Sequence, residues 1–180
     1  MRSQLLPPQL NEYFNDPTVT DILVNNATDV WVERSGQLVR GDDLQPGQID
    51  IAIERILTPL GRRLDRLSPI VDARLPDGTR LCAVIHPIAV HGTTAAFRLF
   101  RQQTFPLIDF CDDSEHSLHE ALTELTQSRH NILITGATGS GKSCLISSLI
   151  SSGVEDQQLS ERIIVIEDTH ELVISHPHTV

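Results

Sequence analysis

Apolar and polar positions alternate along two short runs, Asp21–Val24 (DILV) and Val30–Glu33 (VWVE), with the period of two expected of half-buried strands. Ser35-Gly36 turns the second run into Gln37–Val39, which completes a small meander. No element is assigned to the segment before Asp21, which holds Pro7 and Pro8. At Gln48 the period changes: Ile49, Ile53, Ile56, Leu57 and Leu60 fall on one face of a helix, and Gly61 is placed to end it. Strands return at VDARL (Val71–Leu75), where the turn Pro76-Asp77-Gly78 leads into RLCAVI (Arg80–Ile85), the strongest hairpin signal in the chain. A further strand, Thr93–Phe100, is able to pair with that hairpin. Strands joined by hairpins, with one or two helices, predict an antiparallel α+β domain.

The stretch QTFPLIDFCDDSE has no steady period and reads as a connector, so the expected organisation is a domain over 1–104, a linker over 105–115 and a second domain over 116–180. Ser117 and Glu120 form a capping box before Leu118, Ala121, Leu122 and Leu125, predicting a helix that runs to Ser128. Asn131–Thr135 (NILIT) is short and uniformly apolar, as a buried parallel strand would be. A glycine-rich loop follows, then a helix with Leu145, Ile146, Leu149 and Ile150 on one side, then a second apolar strand, Arg162–Asp168 (RIIVIED). The fold class expected is therefore α/β, an antiparallel α+β domain followed by a strand–helix–strand unit with an incomplete parallel sheet.

The loop Gly136-Ala137-Thr138-Gly139-Ser140-Gly141-Lys142-Ser143 matches the phosphate-loop pattern at every fixed position and lies between a predicted strand and a predicted helix. To wrap a pyrophosphate, successive N–H groups must point inward, which demands backbone angles that glycine allows and larger residues resist. The following helix adds unpaired donors and the positive end of its dipole. Lys142 supplies a mobile charge for the β and γ phosphates, and the Ser143 hydroxyl is able to ligate Mg2+. ATP is the default nucleotide, since no guanine-reading sequence is present.

Charge sharpens this reading. The 180 residues carry 24 acidic against 14 basic side chains, a net charge of −10, which gives no overall attraction to nucleic acid or anionic lipid. A polyanion must be caught locally, by directed donors. Cys82, Cys111 and Cys144 have no disulfide or zinc-site spacing and read as reduced thiols. No apolar run approaches the ~20 residues that cross a bilayer and the N-terminus is no signal peptide, so a cytosolic chain without membrane insertion is expected.

Three further groups carry alternatives. Glu167 and Asp168 end the second apolar run, where one carboxylate would position or deprotonate water and the other hold water on magnesium; the alternative is a polar strand exit or a cap. Arg74 and Arg98 lie inside strands among apolar residues, where an unpaired guanidinium is costly. An ion pair with Asp72 or Asp77 is one resolution, and a reach onto the γ-phosphate is the other. His170, His176 and His178 read as solvent-exposed or strand-edge histidines rather than metal ligands.

The segments DPTVTDILVNN, VWVERSGQL, SPIVDARLPDGTRL, GATGSGKS and ERIIVIEDTHEL…HPH together resemble the traffic ATPases of type II and type IV secretion, especially the tight-adherence (Flp) pilus branch, over about Leu10 to Val180. The resemblance implies a hexameric ring motor on the cytoplasmic face of the bacterial inner membrane. In it an N-terminal α/β domain is linked to a RecA-like ATPase domain, and ATP turnover drives pilus assembly or export through a membrane platform protein. By position, Gly136 to Ser143, with Cys144 after them, resemble the Walker A loop. Glu167 and Asp168 resemble the acidic "Asp box", with Glu167 the water-activating base and Asp168 beside Ser143 at the metal. Arg74 and Arg98 resemble the arginines that touch the γ-phosphate.

The family continues beyond the HPH stretch into a Walker B strand, a histidine box and C-terminal helices that this sequence does not contain. The expectation is a truncated member whose first domain folds and whose nucleotide domain folds only in part, with the apolar faces of Ile132–Ile134 and Ile163–Ile166 left uncovered. A non-catalytic interaction module is the rival from another class, and an unrelated P-loop kinase would need acceptor and lid elements that are not found.

Overall fold

A computed structural model describes residues 5–101, 104–111, 116–128, 130–137, 139–156, 162–168 and 171–180. Its α/β architecture divides into two compact units, Met1–Arg101 and Gln102–Val180.

In the first unit the alternating runs become β1 (Val19–Asn25), β2 (Asp29–Arg34) and β3 (Gln37–Arg40), followed by helix α2 (Gln48–Leu57), and then β4 (Ile70–Arg74), β5 (Arg80–Val84) and β6 (Thr94–Arg98). The α2 periodicity continues as a tighter 3-10 turn over Thr58–Leu60 and stops at Gly61, which takes φ 65°. At the hairpin, Gly78 has φ 87° and its amide donates to the Leu75 carbonyl (2.9 Å). Asp77 accepts from the amide and hydroxyl of Thr79 (3.1 and 2.9 Å), so the Pro-Asp-Gly signal becomes a pinned turn.

The six strands form one antiparallel sheet in the order β3-β2-β1-β6-β5-β4. Strand β6 therefore pairs on both sides, with β5 as its pattern implies and also with β1 (Ile22 opposite Phe97), welding the meander to the hairpin. Period-two alternation sends Ile22, Val24, Val30, Val32, Val71, Ala73, Leu81, Ala83, Ala95 and Phe97 to one face, where they cluster with Ile49, Ala52, Ile53, Ile56 and Leu57 of α2. Each large side chain buried this way contributes about 1.5–3 kcal/mol.

A further helix, α1 (Pro8–Asn15), occupies the segment to which the sequence assigned nothing. Pro8 sits at its first turn, where a missing N–H is harmless, and Leu10 and Phe14 enter the same core, Phe14 meeting Phe97 edge-on at 5.3 Å. Eight residues make a helix that is marginal by itself, so tertiary contacts hold it. Among them is Arg101, whose guanidinium donates to the carbonyl oxygens of Phe14 (3.1 Å), Asp16 and Val19 (2.8 Å). A cation thereby fills the negative end of α1 with directed donors.

In the second unit, α3 (His116–Gln127) and α4 (Lys142–Asp156) are the expected helices. α3 takes in Ser117 at its second position, so the capping box expected there is not formed at Ser117; the residues before His116 lie outside the described ones. α3 and α4 approach closely enough at Gly153 that a side chain there would meet Thr126 Cβ at 3.2 Å. Two buried serines anchor α4: the Ser148 hydroxyl lies 2.6 Å from the Phe105 carbonyl oxygen, and Ser147 Oγ accepts the Val173 amide (3.2 Å).

The two apolar runs do not become buried strands. Residues 131–135 carry no ladder, and the second run has a single parallel bridge, Ile163 to Thr179, with Val165 donating to the Val180 carbonyl (2.9 Å). Leu133 and Ile166 are about nine-tenths exposed, at 88% and 93%. A parallel strand buried on both faces needs paired neighbours and covering layers, and the described residues supply neither to these runs.

Two outcomes check this account of the first unit. Arg101→Ala, which strips the end of α1 of its donors, is expected to cost about 1–3 kcal/mol in denaturant unfolding followed by circular dichroism. The Asp16 carboxyl is held below the ordinary aspartate range by the Thr18 hydroxyl and amide, helped by Arg34 and Arg101, against a smaller opposing effect of burial. Its ionised form is favoured in the folded chain, so this stabilisation is complete at neutral pH and is lost as pH falls through the depressed value. Thr18→Val is expected to raise the Asp16 midpoint in carboxyl 13C NMR and to move the onset of acid unfolding to higher pH.

Candidate functional site

The glycine loop of the second unit folds as the sequence requires. Gly139 and Gly141 adopt φ 76° and 84°, the left-handed region that L side chains resist, and the Ser140 amide turns back to the Ala137 carbonyl (3.3 Å). Gly136 and Ala137 lead into the turn and are exposed, while Thr138 lies outside the described residues. α4 opens at Lys142, and the Leu145 amide donates to Gly141 (2.8 Å), so the amides of Lys142, Ser143 and Cys144 stand at the open end of a 15-residue helix. Lys142 Nζ donates to the Ala137 carbonyl (2.6 Å), which lays the ammonium across the loop. Main-chain donors, a helix N-terminus and one cation thus share a site with little side-chain bulk, and this donor set fits a chain of phosphates.

Beside the loop, the Ser143 hydroxyl donates to Glu171 Oε2 at 2.8 Å. Glu167 Oε2 accepts from the amides of Glu171 (3.0 Å) and Leu172 (3.2 Å). The structure therefore brings Ser143, Glu167 and Glu171 together, and Asp168 is exposed next to them. Glu171 was not singled out from the sequence; its signals are its place inside the resemblance stretch ERIIVIEDTHEL and its position four residues after Glu167, just beyond the second apolar run. The Ser143 hydroxyl and neighbouring carboxylates are the hard oxygen groups that Mg2+ prefers.

Arg74 and Arg98 belong to the first unit, each as the last residue of its strand, and both face solvent. The expectation of guanidinium groups among apolar neighbours is corrected by strand alternation, which turns Ala73 and Phe97 inward instead. Nor do the nearby acids resolve them as expected: Asp72 bonds to Arg80 (3.1 Å), and Asp77 serves the Thr79 turn. Arg80 is a residue that sequence reasoning passed over. Cross-strand register sets it opposite Arg74 on β4 and Arg98 on β6, making a row of three arginines on the sheet face away from the core.

His176 is buried, its Nδ1 accepting the His178 amide (3.2 Å), and His178 is exposed; His170 lies outside the described residues. Among the described residues, no group of three His, Cys, Asp or Glu side chains is arranged to hold a metal ion, and no helix is long and apolar enough to cross a membrane. A cavity of about 750 Å³ lies in the first unit, bounded by Ile53, Glu54, Leu57, Arg62, Leu64 and Ile85, with acidic and basic side chains mixed in its lining.

Comparison with known proteins bears on the whole chain. Residues 8–180 match the family described as Type II/IV secretion system protein. An uncharacterized protein of Methanocaldococcus jannaschii is 32% identical over 176 residues, 92% of this chain and 24% of that protein. A putative conjugal transfer protein of Mycobacterium tuberculosis is 31% identical over 177 residues, 89% of this chain and 47% of its own length. The chain thus spans about a quarter to a half of these curated relatives. Among solved structures, the pilus retraction motor PilT with bound ADP superimposes with a TM-score of 0.61 at 21% identity, covering 96% of this chain and 49% of that one, a likeness of fold.

The loop geometry generates one test. Gly141→Ala forces a Cβ into the left-handed region at a cost of about 1–2 kcal/mol. Calorimetric titration with tripolyphosphate is expected to show roughly tenfold or greater weakening, since 1.4 kcal/mol is a factor of ten.

Proposed function

The chain belongs to the Type II/IV secretion system protein family, and from that premise we propose that it is an ATP-binding subunit of a secretion or pilus-assembly motor, of the tight-adherence (Flp) type. The observation that carries this reading is the loop of residues 136–143, where left-handed Gly139 and Gly141 deliver the chain into the open end of α4 with Lys142 across it. In this reading Gly136 to Cys144 hold the phosphates, Lys142 neutralises their charge, and Ser143 with Asp168 would hold Mg2+. Glu167 prepares the attacking water, and Arg74 and Arg98 sense the γ-phosphate, as the resemblance implies. Magnesium held at Ser143 would supply charge that offsets the negative charge developing on the phosphates. The assembly is a homo-oligomeric ring, hexameric as the resemblance implies, cytoplasmic and peripheral to the inner membrane. It works against a membrane platform protein, without nucleic acid and without inserting into the bilayer.

A second reading, a module that docks to other subunits without turning ATP over, is favoured by the exposure of Leu133 and Ile166, apolar side chains without cover. Titration of the purified chain with a fluorescent ATP analogue, followed by a magnesium-dependent phosphate-release assay, separates the two. The motor reading expects saturable binding that Lys142→Ala weakens at least tenfold, and turnover that the same substitution abolishes. Binding without turnover supports the module, and identical titrations for the two proteins overturn nucleotide binding at this loop.

A further inference from the structure

We propose that the cavity of the first unit is a binding site for an aliphatic anion, whose carboxylate or phosphate head meets Arg62 and Arg63 and whose hydrocarbon chain lies along Leu64 and Ile85. The site stands apart from the glycine loop, since every residue that lines it belongs to the first unit.

Its walls follow from the way α2 ends. Asp50, Ile53, Glu54 and Leu57 recur at the spacing that places residues on one stripe of a helix, and that stripe is one wall. At Gly61, with φ 65°, the chain turns: the Gly61 amide donates to the Thr58 carbonyl (3.1 Å) and the Arg62 amide to the Leu57 carbonyl (3.1 Å), the paired bonds of a Schellman motif. Arg62 to Asp65, which follow, make a second wall. The Ile85 amide donates to the Pro69 carbonyl (2.9 Å), tying the residue just after β5 to the end of the same loop and bringing it into the lining. The volume of about 750 Å³ lies within the range of roughly 300–1,000 Å³ that holds small ligands.

Most of the polar lining is already engaged within the fold. The Asp50 carboxylate accepts the Thr93 hydroxyl (2.5 Å), Asp65 Oδ1 accepts the amides of Leu67 and Ser68 (2.9 Å each), and the Thr58 hydroxyl donates to the Glu54 carbonyl (2.7 Å). Among the described residues no ion pair engages the side chains of Arg62, Arg63 or Glu54. Two guanidinium groups are thus open against one carboxylate, and each presents a planar fork that matches the oxygens of a carboxylate or phosphate. The apolar lining is aliphatic: Ile53 and Leu57 are buried, Leu64 and Ile85 half-buried, and no aromatic ring stands among them for a flat base to stack on. A flexible hydrocarbon chain suits such a wall. Glu54 sets a limit on the ligand, because a second acidic group on the same chain would meet a like charge.

Decanoate, decyl phosphate and decyltrimethylammonium, each below its micellar concentration, are titrated into the full chain and followed by calorimetry and by methyl 13C NMR. The same titrations are made on the double variant Arg62→Gln/Arg63→Gln and on Arg66→Gln, which removes an equal kind of charge outside the cavity lining. All three arginines are exposed, and circular dichroism checks that each variant keeps its fold. Both anions are expected to bind saturably and to move the methyl resonances of Leu64 and Ile85, while the cation does not. The double variant is expected to weaken binding roughly tenfold or more, and Arg66→Gln to bind as the unaltered chain does. Absence of saturable binding by either anion overturns the inference, as does binding that the double variant leaves undiminished. An equal loss in Arg66→Gln marks diffuse attraction instead of a site, and movement of the Leu64 and Ile85 methyls by the cation assigns the cavity to Glu54; each overturns it. Sedimentation with phosphatidylglycerol vesicles identifies the source of the anion: co-sedimentation lost in the double variant places it in a bilayer, and none places it in solution, with the site upheld by decanoate binding in both cases.

Discussion

Left-handed backbone at Gly139 and Gly141 is the constraint on which the rest of this protein's chemistry depends. Those two residues let the chain turn tightly out of an extended segment and enter α4 with its first amides facing the turn. A protein with a net charge of −10 repels a polyanion at long range. On the proposed function, its grip on phosphates would come from donors that act within a few ångströms, and main-chain N–H groups at a helix end are such donors: they are fixed by the fold, carry no competing negative charge, and need no side-chain ordering. Lys142 contributes a mobile cation at the loop, and the Glu171 carboxylate, beyond the second apolar run, reaches Ser143, the residue next in the chain.

The first unit is built on a different principle, burial. Its six-stranded sheet holds because β6 pairs on both sides and because one face is covered by α1 and α2, leaving Phe97, Ile22 and Leu81 without exposure. The other face keeps the polar half of the same alternation, including the row Arg74, Arg80 and Arg98. A surface row of like charges is tolerable where Asp72 bonds to Arg80 and water reaches the rest. Burial thus sets the scaffold, and the pleat decides which residues face outward.

How much of this could be read in advance varied with the range of the forces involved. The β1–β2–β3 meander, the hairpin at Pro76-Asp77-Gly78 and the periodic face of α2 were legible because turn chemistry and side-chain period are local. The β6–β1 pairing was not, since nothing in Thr94–Arg98 says which of two hairpins it joins, and α1 was not, since its eight residues become helical through Phe14 against Phe97 and through Arg101, 87 positions from Phe14. Residues 131–135 and 162–168 failed as strands for the converse reason: their composition suits a sheet interior, and strand character is realised only when neighbours pair. At the site, the glycine loop was plain from its pattern. Glu171 was hidden because its partner, Ser143, is 28 residues away and only folding sets them 2.8 Å apart.

The central claim, that main-chain amides between residues 139 and 144 take hold of a phosphate chain, is tested most directly by 15N NMR of the labelled chain titrated with a nonhydrolysable ATP analogue and magnesium. The account predicts that the amide resonances of Gly139, Gly141, Lys142 and Ser143 move first and furthest, with those of Glu171 and Leu172 following. It is contradicted if those resonances stay still while others move, for instance around Arg62 and Leu64 at the cavity of the first unit.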